Sequence, residues 1–140
     1  KRQSTLRGLS KQAWNIVPKI RQIDQLLRSH TEFLGVLLEC HPVLCFWALN
    51  IENPMHFNKN REQGRHERLA VLQRYFSECH LLFGQASSEY QRRQVAHDDI
   101  IDAMVCAVTA KFGYGKYLTV PKKPERDLVG LPMQMVYWQA

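Results

Sequence analysis

The sequence predicts an α/β domain rich in helix and poor in strand, and three observations carry that prediction. Apolar residues recur at helical spacing in five or so segments, only residues 33–38 and 133–138 read as strands, and Gly and Pro punctuate the connections. A chain of 140 residues, 45% of them hydrophobic, is long enough to bury a core and implies a single domain over residues 1–140. A stable open sheet normally takes three or more strands, so two are an under-supply. The domain is therefore mostly helical or completed by strands from elsewhere.

Taken in order, Ser10 is placed to cap a short helical turn over residues 11–15, which Pro18 interrupts. Pro18 then suits the first position of an amphipathic helix over residues 19–29, with Ile20, Ile23, Leu26 and Leu27 on one face. Residues 33–38 form a continuous apolar run, read as a strand buried on both faces. It ends at Glu39, and α/β sheets place their ligand crevices beyond the carboxyl ends of such strands. Pro42 opens a strongly apolar helix through Leu49. Residues 50–60, with Pro54 and several Asn, form a loop, and helical periodicity returns over 62–76, weakened in its first turn by Gly64. Residues 77–84 show no clear pattern, 87–93 read as helix, and 96–111 read as a helix closed by Gly113. Residues 115–130, holding Pro121 and Pro124, are expected to be an extended surface connection before the terminal strand.

The 96–111 helix opens with an acidic turn. At about 100° per residue, Asp98, Asp99 and Asp102 share roughly a 100° arc, so the turn repels itself unless a positive group lies nearby. Asp98 suits a cap, and acids in a first turn complement the helix dipole. Asp102 lies deeper and needs a cation or a hydrogen-bond donor. No charge follows from Ala103 to Ala110, so most faces of the helix are expected to be covered.

Composition excludes several classes. No apolar run approaches the roughly 20 residues that span a bilayer, and no hydrophobic core follows the basic start, so neither a transmembrane helix nor a secretory signal is expected. The absence of an initiator Met suggests a chain cut from something longer. Cys40, Cys45, Cys79 and Cys106 lack the dense spacing of a disulfide scaffold and suit the reducing cytoplasm. Cys40-His41 and Cys79-His80 offer zinc-type ligands, but adjacent Cys-His is not the usual ligand spacing, and buried thiols are the ordinary reading. A net charge of +6 points weakly to acidic partners. Lys59, Arg61, Arg65, His66 and Arg68 crowd together, well separated in sequence from the acids. Such a division suits a phosphate-handling surface beside a metal site, or simply a solvated basic helix face.

Glu39, Asp99 and Asp102 together form a plausible ligand set for Mg²⁺ or Mn²⁺, hard cations that take oxygen donors. A structural salt-bridge network accounts for the same acids equally well.

The chain also carries a family resemblance. Leu38-Glu39-Cys40-His41-Pro42, Phe46-Trp47-Ala48-Leu49-Asn50, Arg65-His66-Glu67-Arg68-Leu69, His97-Asp98-Asp99-Ile100-Ile101-Asp102-Ala103 and Gly130-Leu131-Pro132-Met133-Gln134-Met135 resemble, in order, a widespread uncharacterised prokaryotic family of predicted nucleases with an RNase H-like fold. Two earlier stretches, Ser10-Lys11-Gln12-Ala13-Trp14 and the run from Pro18 to Asp24, resemble it too, so the likeness covers nearly the whole chain.

The resemblance implies a metal-dependent nuclease acting on phosphodiesters, with Glu39, Asp99 and Asp102 as catalytic metal ligands. The pair Asp99 and Asp102 is similar to the D-x-x-D-A ending of RuvC-type resolvases. Arg65 and Arg68, with Arg61, would contact nucleic-acid phosphates, and His97 would assist or simply pack. It further implies that residues 1–140 are the C-terminal part of an RNase H-like domain, truncated at the N-terminus. The first catalytic Asp and about three strands of that fold do not occur here, and Val43 stands where the pattern carries another acid. On that reading activity is weak or lost, and the exposed sheet edge pairs with the missing N-terminal segment or with a second copy in a homo-oligomer. The alternative class is a non-catalytic interaction or nucleic-acid-binding module.

Overall fold

Ser10 caps the first helix as its hydroxyl predicts, accepting from the Ala13 amide at 3.1 Å. The structure is a computed structural model and describes residues 10–139. It divides into two compact units, Lys1–Leu38 and Glu39–Ala140.

In the first unit, α1 (Lys11–Ser29) runs unbroken through Pro18, where the sequence predicts an interruption. Proline removes one backbone hydrogen bond. A helix of 19 residues, with Arg28 donating to Asp24 at 3.0 Å one turn earlier, retains enough others to continue. The predicted buried strand over residues 33–38 is absent. Thr31–Phe33 is a 3₁₀ turn (η1), and Leu34 and Leu37 form only an isolated bridge around Gly35, whose φ is +84°. Val36 is 75% exposed. A glycine in left-handed conformation reverses the chain inside the apolar run, which periodicity alone cannot reveal.

In the second unit, α2 (Pro42–Leu49), α3 (Glu62–Gln73), α4 (Cys79–Glu89) and α5 (His97–Gly113) precede a hairpin of β1 (Leu118–Arg126) and β2 (Pro132–Tyr137). Pro42 occupies the first turn of α2, as expected. α5 is central and packs on α2, α3 and α4. Phe46, Leu49, Leu69, Leu72, Ile101 and Val105 are nearly or fully buried, and each contributes about 1.5–3 kcal/mol. The hairpin closes one end of this core: Trp138 stacks on Phe112 at 5.3 Å, and Tyr75 meets Trp138 edge-on.

Three further expectations change. The helix expected over 87–93 lies earlier, as α4, and ends at Glu89. The expected surface connection over 115–130 contains β1, antiparallel to β2. Its two prolines sit where the ladder slips, between Val120 and Glu125, because Pro cannot donate to a ladder. Finally, α5 is not covered on most faces: Ala103, Ala107 and Ala110 form an exposed strip. An alanine methyl costs little when left in water, so lack of charge there does not imply burial. Among the described residues no helix is long and apolar enough to cross a membrane.

Candidate functional site

The acidic turn finds its cation. Lys59 Nζ lies 2.9 Å from Asp102 Oδ2 and 3.1 Å from Asp98 Oδ2. Asp98 is not a cap: Ala96 occupies that position with no side-chain bond, and its carbonyl accepts from the Asp99 amide at 3.0 Å. Asp98 and Asp102 are half-buried, while Asp99 is exposed. One carboxylate oxygen from each of the three lies within 4.8 Å of the others, giving a compact set of hard donors.

Lys59 is held there by its loop. Glu67, on α3, accepts from the backbone amides of His56 and Phe57 at 2.8 and 3.1 Å. Burial works against its charge, but those two N–H bonds and the His56 ring outweigh it and hold the carboxyl below its ordinary value. Arg68 donates through Nη1 to the carbonyls of Phe57 (3.1 Å) and Gly64 (2.9 Å), with its guanidinium over the Phe46 ring. The Asn58 side chain accepts from the Asn60 amide at 2.9 Å, which tightens the turn around Lys59. α3 can lie against this loop only because residue 64 has no Cβ: one built there would sit 2.0 Å from the Asn58 carbonyl oxygen. Gly64, which weakens the helical pattern in sequence, is what lets Lys59 reach the acids.

The bridge has a defined pH signature. Hydrogen bonding from Asp102 raises the Lys59 pKa, burial opposes it, and Asp98 adds to the rise. A cation whose pKa is raised on folding stabilises the fold fully below its unfolded value and loses that contribution as pH rises through the folded one. Lys59 is 38% exposed at its side chain, so solvent screening keeps its worth to about 1 kcal/mol. We expect Lys59→Met to be less stable than the native chain by about that amount at neutral pH, with the gap closing above the ordinary lysine value. Urea melts across pH 7–11.5 check this. An undiminished gap at the alkaline end would mean that Lys59 acts through packing alone.

Of the residues named from sequence, Asp99 and Asp102 come together, joined by Asp98. Glu39 is not in that group. It is exposed, and its carbonyl accepts from the Val136 amide at 2.7 Å, tying this segment to β2. Glu39 lies just ahead of α2, which packs on α5.

Among the arginines, Arg61, the residue that opens α3, is exposed, and Arg65, in its first turn, is half-exposed. Arg68 is a correction: it is 8% exposed and engaged with backbone carbonyls, so it is not a surface phosphate contact. Its apolar neighbours in sequence, Leu69, Val71 and Leu72, signal that this face of α3 turns inward. Lys59 is the residue that sequence reasoning assigned to the phosphate side. The uncompensated charge of the acidic turn was its only signal.

No curated protein and no solved structure matches the chain significantly, whereas the model of a protein family of unknown function, DUF429, matches residues 1–126. That match spans most of the 140 residues, and the chain therefore belongs to the DUF429 family.

Proposed function

We propose that this chain handles nucleic-acid phosphodiesters with a divalent cation, in the manner of an RNase H-like nuclease. The observation that carries the reading is the convergence of Asp98, Asp99 and Asp102 within 4.8 Å of one another, two of them, Asp98 and Asp102, already holding a positive charge, the Lys59 ammonium. The donor set fits Mg²⁺ or Mn²⁺, since every ligand is a carboxylate oxygen. Asp99 and Asp102, with Asp98, would hold the ion, and Glu39 stands outside that set. When bound, such an ion polarises a phosphoryl oxygen and generates a water nucleophile. The residues themselves confine negative charge at the start of α5. Lys59 offsets part of it, and Arg61 at the start of α3 and Arg65 on α3 supply positive charge for phosphates without reading sequence.

Lys59 also competes with a metal for the same oxygens, which makes the reading testable. Titrating Mn²⁺ in a calorimeter should show saturable binding that is lost in Asp102→Asn and tightened several-fold in Lys59→Ala. Cleavage of short DNA or RNA strands should follow the same order. Absence of binding in both the native chain and Lys59→Ala would reject the proposal. A second reading has its own observation: Asp98 and Asp102 already share an ion pair with Lys59, as in a structural ion-pair network. On that reading the chain is a non-catalytic nucleic-acid-binding module, weakened by Arg65→Ala and indifferent to Mn²⁺.

A further inference from the structure

Arg68 is a buried cation with donors to spare. Its Nη1 makes both of its hydrogen bonds to described residues, to the carbonyls of Phe57 and Gly64. Nε and Nη2 bond to none of the described residues, yet neither is sealed from solvent. Among the described residues, the carboxylate oxygen that approaches is Glu67 Oε2, 4.0 Å from Nη1 and already accepting from the Phe57 amide. The side chain is only 9% exposed, so its charge is buried, half-used and weakly countered. Buried charges are normally paired and fully hydrogen-bonded.

Arg68 also lines a groove of about 580 Å³ formed by α2, the loop that follows it, α3 and the hairpin. Small-molecule sites span roughly 300–1,000 Å³, so the size is suitable. Val43, Leu44, Trp47, Met55 and Met135 give the groove apolar walls, and no carboxylate is among the described residues that line it. The Trp47 indole is held edge-on against Tyr137, with ring centroids 6.1 Å apart at 63°. His41 lines the groove as well. Its Nδ1 accepts from the Val43 amide at 3.3 Å, which leaves Nε2 as the N–H of the neutral ring.

We propose that this groove binds a small carboxylic acid with an apolar body, its carboxylate on the unused edge of the Arg68 guanidinium and its apolar part against Trp47, Met55 and Met135. Charge complementarity selects the head group. A carboxylate accepts through two oxygens, and the Nε–Nη2 edge of a guanidinium presents two parallel N–H donors at the matching spacing. The walls select the rest of the ligand, because they offer apolar area and no acid to repel the anion. A few fixed polar groups in an apolar cleft are what orient a small ligand. A nucleic-acid strand fits less well, since a phosphate backbone is held by many exposed cations and Arg68 is one recessed cation. The inference stands independently of the proposed nuclease reading, for none of the groove residues belongs to the acidic turn.

The test records proton–nitrogen correlation spectra of the full labelled chain during titration with phenylpropanoate, and in parallel with the uncharged phenylpropanamide and with inorganic phosphate. The acid should shift the backbone resonances of Val43, Leu44, Trp47 and Met55 saturably. The uncharged probe and phosphate should each bind at least about tenfold more weakly, since one lacks the charge-assisted hydrogen bonds and the other the apolar body. This comparison needs no variant to fold. Val43→Glu then sets an anion on the exposed part of the wall, and an acid suits the first turn of α2. It should weaken the acid at least about fivefold by like-charge repulsion and leave the uncharged probe unaffected. Shifts that fail to saturate or that map away from the groove would overturn the proposal. So would phenylpropanamide or phosphate binding as tightly as the acid, or undiminished binding of the acid to Val43→Glu.

Discussion

Gly64→Ala is expected to destabilise the chain by about 3 kcal/mol, near the upper end of overpacking substitutions and enough to unfold a marginal domain. The added methyl would lie 2.0 Å from the Asn58 carbonyl oxygen and 2.6 Å from its carbon, both backbone atoms that cannot rotate away. Either α3 or the 58–60 loop must move, and the loop is the softer of the two. The variant should therefore also lose the Lys59 bridge, flattening the alkaline limb of its pH–stability profile. Gly84→Ala is the control. Nothing lies within 4 Å of its added carbon, and α4 is helical there, so it should be neutral or stabilising by up to about 1 kcal/mol. Urea unfolding of the two variants separates steric exclusion from general glycine flexibility. Equal effects would refute the close-approach argument.

Arg68→Ala is the second large effect, expected at about 3 kcal/mol. The truncation removes a cation held over Phe46 and leaves the carbonyls of Phe57 and Gly64 short of a donor in a partly dry site. Arg68→Lys should recover only part of this, because an ammonium cannot reproduce the planar fork. Nucleic-acid binding discriminates the roles. Measured by anisotropy below its unfolding temperature, Arg68→Ala should leave the salt dependence unchanged, whereas Arg65→Ala should reduce the slope by about one counterion. A lowered slope with unchanged stability would return Arg68 to the surface role that its position in a basic cluster suggested.

The two arginines show why the site was only partly legible. Arg65 and Arg68 are three apart on α3, yet one is half-exposed and the other buried. Sequence identifies a helix face only as far as its apolar neighbours mark it, and a charged residue at the edge of that face can turn either way. Asp102 was better determined. It follows an apolar–acid boundary, so the need for a cation was evident before the structure showed Lys59 supplying it. Which cation was not evident, because Lys59 lies 43 residues away on a loop whose path depends on Gly64 and Glu67.

Local chemistry was enough to determine the Ser10 cap, the Pro42 entry to α2, the α5 helix with its acidic opening and the terminal strand. In each case the deciding interaction is within a few residues, or the periodicity persists over the element. Tertiary structure alone decided that residues 33–38 turn instead of forming a strand, that residues 118–126 pair with β2, and that Lys59 pairs with Asp98 and Asp102 while Glu39 stands outside the acidic group. Those outcomes depend on contacts between segments far apart in the chain, whose energies no local pattern records.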